Sequence, residues 1–151
     1  MISVVVICNK KDINDAHIVK SLNPQSAKHE LIIVNNENNN NFTSASSALN
    51  YGGMKSTGDY IMFAHQDIEF LDSNFLTLAE NYLENIDCVG IAGVAGISSI
   101  GSSHKEKQRN IIDQGYPIKK EWGNKINTPE NVQTLDECLL IVPADIFNKY
   151  P

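Results

Sequence analysis

The sequence predicts one α/β domain built on an open, mostly parallel sheet with helices on both faces. Ser3 to Cys8 is a β-branched apolar run of the kind found in a strand buried on both faces. Strand and helix patterns alternate after it, which is the signature of β-α-β units with right-handed crossovers. A length of 151 residues with 42% hydrophobic content is enough for a single core.

After the first strand, Asp12 or Asn14 is placed to cap a helix with Ile13, Ala16, Ile18, Val19 and Leu22 on one side, and Pro24 stops it. Leu31 to Val34 supplies the second strand. Asn35 to Asn41 is asparagine interrupted only by Glu37, and asparagine amides compete for local backbone bonds, so this is a loop. Asn38 to Asn41 read as low-complexity drift. Asn35 and Asn36 stand instead at the carboxyl end of a strand, the edge where open α/β sheets bind ligands.

Ser44 caps a helix through about Lys55, with Ala45, Ala48, Leu49 and Gly52 on one face. Thr57-Gly58-Asp59 is turn chemistry, and Tyr60 to Ala64 is a strand whose carboxyl end delivers His65, Gln66 and Asp67. Asp72 or Ser73 caps an amphipathic helix carrying Phe75, Leu78, Ala79, Tyr82, Leu83 and Ile86. Val89 to Val94 is expected as a further buried strand. Residues 98–131 lose all periodicity around a lone Trp122 and are expected as one long loop, a binding flap or a mobile segment, with Lys105 to Arg109 a solvated face. Val132 to Val142 reads as a strand with Asp136 and Glu137 near its middle, and Pro143 opens a last helix.

Twelve basic residues against eighteen acidic ones give a net charge of −6, with no basic stripe to follow a phosphate backbone, so nucleic acid is not an expected partner. A diphosphate is still accessible to such a chain, because a divalent cation and backbone N–H groups hold phosphates without excess basic side chains. Cys8, Cys88 and Cys138 form no C-x-x-C pair and read as reduced, buried thiols. The longest apolar run, Cys88 to Ile97, is far short of the roughly 20 residues of a membrane helix. Ile2 to Cys8 has no basic residues before it, the reverse of a secretory signal. The expected location is cytoplasmic, peripheral to a membrane only through an acceptor or partner.

An acidic side chain at a strand's carboxyl end beside a crevice is the arrangement that brings a hard divalent cation to a diphosphate, and Asp67 has that placement. Taken alone, an Asp after a strand is as readily an ordinary loop residue. The segment from Ala48-Leu49-Asn50-Tyr51-Gly52 through Gly58-Asp59-Tyr60-Ile61-Met62-Phe63-Ala64-His65-Gln66-Asp67 resembles, at the same spacing, the A-x-N-x-G…A-x-G-[DE]-Y-I-x-F-x-D-x-D block of family 2 glycosyltransferases. Ser3 to Asn9 and Glu30 to Asn36 are similar to that family's first two strands.

The resemblance implies a GT-A (Rossmann-like) fold, Mg²⁺ or Mn²⁺ as cofactor, a nucleotide-diphospho-sugar donor and a glycan or lipid-linked acceptor. It implies Asp67 as metal residue, with His65 either a second ligand or a packed or solvated loop histidine. Cys8, Asn9, Asn35, Asn36, Asn50, Lys55 and Gln66 are the implied nucleotide-binding residues, and Asp136 lies at a position facing the acceptor. Departures are visible as well. Asn35-Asn36 replace the usual Asp-Asp pair, and His65-Gln66-Asp67 replaces D-x-D, a form found in a subgroup of the family. The usual catalytic carboxylate falls beyond Pro151, so the chain reads as truncated, and Asp136 and Glu137 are the sequence-visible substitutes. They serve the acceptor, act as base, or simply lie at a strand edge. The early stop is expected to leave Ile146 and Phe147 as apolar surface for weak self-association. The rival reading is a nucleotide-binding module that lacks turnover. A different nucleotide-binding α/β enzyme is disfavoured because neither a G-x-G-x-x-G nor a P-loop motif is present.

Overall fold

The computed structural model describes residues 1–115 and 120–151, together with all their side chains except those of Asn39 and Gln114. Strands β1 (Ile2–Cys8), β2 (His29–Asn35), β3 (Tyr60–Ala64), β4 (Ala92–Gly93), β5 (Gly96–Ile97), β6 (Gln108–Gln114), β7 (Lys120–Asn124), β8 (Thr134–Leu135) and β9 (Leu139–Pro143) follow in chain order. They form a five-stranded sheet in the order β2-β1-β3-β9-β4 and a four-stranded sheet in the order β7-β6-β5-β8. β1 runs parallel to both β2 and β3, which establishes the mixed α/β class. The chain divides into two compact units, residues 1–91 with 141–151 and residues 92–140. Among the described residues no helix is long and apolar enough to cross a membrane.

In the first unit, Val5 and Ile61 share one sheet face with Val34, Ala48 and Phe147. Two adjacent glycines let the Ala45–Gly53 helix approach that face closely. A Cβ on Gly52 would fall 2.4 Å from Val5 Cγ1, and one on Gly53 2.4 Å from Phe147 Cζ. By strand alternation Ile2, Val4 and Val6 point to the other face. They are fully buried too, so that face carries its own cover. Ile18, Leu22, Leu76 and Leu83 supply buried apolar groups from the helices of residues 11–22 and Phe75–Glu84. Gln25 links those helices, donating to the Asp72 carbonyl at 2.7 Å and accepting from Leu76 N–H at 3.1 Å.

The amino edge of the sheet is closed by a polar network. Glu30 accepts from the Ser3 hydroxyl, from Thr57 N–H at 2.5 Å and from Thr57 Oγ1 at 3.0 Å. Ser3 Oγ in turn accepts from Gly58 N–H at 2.8 Å, and a Cβ on Gly58 would meet the Met1 carbonyl at 2.7 Å. Burial pushes the Glu30 carboxyl up, but the hydrogen bonds from Ser3, Thr57 and Gly58 outweigh it and hold it below its ordinary value of 4.5.

Several local expectations are corrected. Ser44 caps the Ala45–Gly53 helix as expected, accepting from Ser47 N–H at 3.2 Å. The first helix instead begins at Lys11, and its N-cap residue, Lys10, makes no side-chain capping bond. Asp12 and Asn14 lie inside it, and a π-helical stretch, Asp15–Val19, interrupts its middle. The Phe75–Glu84 helix has the predicted period with its face rotated: Leu76 and Leu83 are buried while Leu78, Tyr82 and Ile86 are exposed. Val89 to Val94 contributes only the two-residue β4, and Ile91 is exposed. Cys88 is exposed as well.

Phe147 is buried beneath Gly53 and 5.7 Å from the Phe63 ring, so it does not supply the apolar surface expected for self-association. Its helix, Ala144–Lys149, is short, but the glycine gap gives the ring a place to insert.

The second unit replaces the long loop expected over residues 98–131. β6 and β7 pair antiparallel, Ile112 opposite Trp122, and a Cβ on Gly123 would fall 1.8 Å from the Asn110 carbonyl oxygen. The ribbon is rich in polar residues on both strands, which is why it shows no apolar alternation. Arg109 is not a solvated cation either. It pairs with Glu130 at 2.8 Å and donates to the Ile100 carbonyl at 3.0 Å.

Two outcomes are expected. Gly52→Val overpacks the helix against Val5 and Val34, lowering stability by about 1–3 kcal/mol in urea unfolding. Glu30→Gln removes a carboxylate whose pKa is depressed in the folded state. The wild type's advantage over it is fully present above the ordinary value of about 4.5 and shrinks as pH falls through the lower folded value. Urea midpoints of both proteins across the acid range check this.

Candidate functional site

In a parallel sheet every strand ends at the same edge, so residues following separate strands meet there whatever their distance in sequence. Cys8 is in register with Asn35, and Val6 with Ala64. Cys8, Asn9, Asn35, Asn36, His65, Gln66 and Asp67 therefore gather at the carboxyl edge of the first unit.

Within that group the side chains divide by role. Cys8 is buried, and burial first, then the charges of Glu37 and Asp15, push its thiol up. Asn36 is 4% exposed, and its Oδ1 accepts from Phe42 N–H at 2.9 Å and Asn41 N–H at 3.3 Å. Asn35 is exposed and its Oδ1 accepts from Glu37 N–H at 2.9 Å, while its carbonyl accepts from Asn41 Nδ2 at 2.9 Å. The asparagine run is thus a hydrogen-bonded loop at Asn35, Asn36 and Asn41, and Asn41 is no low-complexity filler.

Gln66 is half-buried, and its Oε1 accepts from Asn9 N–H at 2.9 Å and Lys10 N–H at 3.0 Å. Glu37 accepts from the next amide, Lys11 N–H, at 3.3 Å. These contacts replace the local cap expected at the first helix with acceptors brought from the ends of β3 and β2. Sequence patterns do not reveal such a cap because its partners lie far apart in the chain.

An open cleft of about 680 Å³ lies here, lined by Asn9, Lys10, Lys11, Asp12, Asp15 and Glu37 among others. Lys11 pairs with Asp15. Lys10 is exposed and has no ion pair among the described residues, and it lines the cleft beside the carboxylates of Asp12 and Glu37. The sequence reading missed it. Its adjacency to Asn9 was the available signal.

His65 and Asp67 are exposed in the turn after β3, and the Asp67 carboxylate has no hydrogen bond or ion pair among the described residues. Among those residues no group of three or more His, Cys, Asp or Glu side chains converges to hold a metal. That donor set does not make a protein-only cage. It does fit a Mg²⁺-like ion, which takes one or two carboxylates and completes its shell with waters and substrate phosphates.

The remaining predicted residues lie elsewhere. The Ala45–Gly53 helix crosses back from the carboxyl edge, so its end reaches the amino edge, where Thr57 and Gly58 bond to Glu30 and Ser3. Lys55 follows that end, its Nζ 5.4 Å from the Tyr51 ring centroid, and is not brought together with Asp67. Asn50 is half-buried within the same helix. The strand expected over Val132 to Val142 is broken between β8 and β9. Asp136 Oδ1 accepts from Cys138 N–H at 3.0 Å in a side-chain-closed turn, and Glu137 is exposed at its tip.

The family model described as "Glycosyl transferase family 2" matches residues 2–147. No curated protein matches the chain.

With no hydrogen bond or ion pair among the described residues, Asp67 adds little to stability. Asp67→Ala is expected to change the unfolding free energy by less than about 0.5 kcal/mol, as read from urea denaturation. A larger loss would assign the carboxylate a structural role.

Proposed function

Because the chain belongs to glycosyl transferase family 2, we propose that it binds a nucleotide-diphospho-sugar with Mg²⁺ or Mn²⁺ for inverting transfer of the sugar to a glycan or lipid-linked acceptor. The observation that supports this most is Asp67, an exposed carboxylate with no hydrogen bond or ion pair among the described residues, placed by β3 at the carboxyl edge of the parallel sheet. A fold retains such a group at no benefit to its core, which is the usual position of a ligand-directed residue.

Under this reading Asp67, with His65 beside it, would hold the cation, and His65-Gln66-Asp67 is the subgroup form of the family's D-x-D. The bound ion supplies charge neutralisation to the departing diphosphate. Asn9, Asn35 and the cationic Lys10 line the approach for the nucleotide. Cys8 and Asn36 are buried at the same edge of the sheet. Inversion requires a carboxylate to take the acceptor hydroxyl proton, and Asp136 is assigned to the acceptor.

A second reading, donor binding without turnover, draws on the turn at Asp136. One of its carboxylate oxygens is committed to Cys138 N–H, and Glu137 is solvent-exposed, which leaves neither in the desolvated setting that tunes a general base. A transfer assay over nucleotide-sugars and acceptors separates the two readings.

Nucleoside diphosphate binding is expected to be metal-dependent. In titration calorimetry, EDTA treatment and Asp67→Ala should each weaken binding by about tenfold or more, roughly 1.4 kcal/mol. Equal affinity after chelation would overturn the metal-bridged reading.

A further inference from the structure

We infer that Gln66 is the positioning residue of this site, locking the loop after β1 to the turn that carries Asp67. The inference rests on the donor-site reading above, but the contacts that carry it belong to the fold alone. One side-chain atom from the end of β3 accepts from two successive backbone N–H groups, Asn9 at 2.9 Å and Lys10 at 3.0 Å. Two N–H donors converging on one carboxamide atom identify it as the oxygen. The backbone of Gln66 is bonded directly to that of Asp67, so the lock acts one residue from the exposed carboxylate.

Two consequences follow from this geometry. A nucleotide resting in the cleft beside Asn9 and Lys10 and a diphosphate held at Asp67 are kept at one separation, because the loops bearing them are tied together. The Asn9 and Lys10 amides, already satisfied by Gln66, are also not free to form an anion cradle at the start of the first helix. A diphosphate would then depend on the cation that Asp67 would hold rather than on these two amides. Glu37 completes the closure by accepting from Lys11 N–H at 3.3 Å.

The test uses the full chain with Gln66→Met, similar in length but without a strong acceptor, and Gln66→Glu, which keeps the acceptor. Amide hydrogen exchange at Asn9 and Lys10 is followed by NMR, and ADP, UDP and GDP affinities with Mn²⁺ are measured by calorimetry on wild type and Q66M. The expected result is exchange at both amides about tenfold faster in Q66M, with protection elsewhere retained. Q66E should restore the protection, and the best-bound nucleotide should lose about tenfold in affinity in Q66M. Should Q66M fold poorly, Gln66→Ala takes its place in both measurements. Unchanged exchange in the acceptor-less variant would overturn the lock. Freed amides with undiminished affinity would overturn its positioning role. Absence of nucleotide binding in the wild type, with the amides freed in Q66M, would overturn the donor-site reading while leaving the lock intact.

Discussion

Strand β1 has no exposed face over most of its length, since Ile2, Ser3, Val4, Val5 and Val6 are all fully buried. A strand in that state needs a hydrogen-bonded neighbour on each side and a covering layer on each face, and here both neighbours, β2 and β3, are parallel. Burying one Val or Ile side chain contributes about 1.5–3 kcal/mol, so this short run is worth more than any surface feature of the chain. The glycine pair at Gly52 and Gly53 answers the same demand. It brings one helix close enough to seal Val5 and leaves a slot that Phe147 fills.

Parallel pairing also sorts the polar chemistry into two edges. At the amino edge the polar groups are turned on one another: Glu30, Ser3, Thr57 and Gly58 form a closed set around a carboxylate kept ionised by its hydrogen bonds. At the carboxyl edge the backbone is braced in the same way, by Gln66 and Glu37, yet Asn9, Lys10, His65 and Asp67 remain exposed. Polar groups that hold the fold and polar groups left exposed are thereby separated on one sheet. The exposed residues owe their position to the braced backbone and contribute little to holding it.

The same separation runs along single segments of the chain. In His65-Gln66-Asp67 only the last residue presents a free carboxylate, while the middle one is spent on the neighbouring loop. Asn36 is likewise turned inward to hold Phe42 and Asn41. An amide suits that position because, unlike a carboxylate, it carries no charge to desolvate when buried.

By itself the sequence determined the α/β class, β1 to β3, the Ser44 cap and the placement of Asp67 at a strand's end, because each depends on local pattern: a β-branched run, a capping hydroxyl, a turn before a strand. It does not show where Lys55 lies, because the return path of a crossover helix carries that residue to the amino edge, beside the Tyr51 ring. It left the β6–β7 ribbon as loop, because a strand with polar residues on both faces has no alternation to read. The rotated face of the Phe75–Glu84 helix, the burial of Phe147 and the use of Gln66 as a distant cap were decided only by the tertiary structure. Each is a contact between residues far apart in the chain, and a linear pattern records which residues want partners but not which partners close packing will bring.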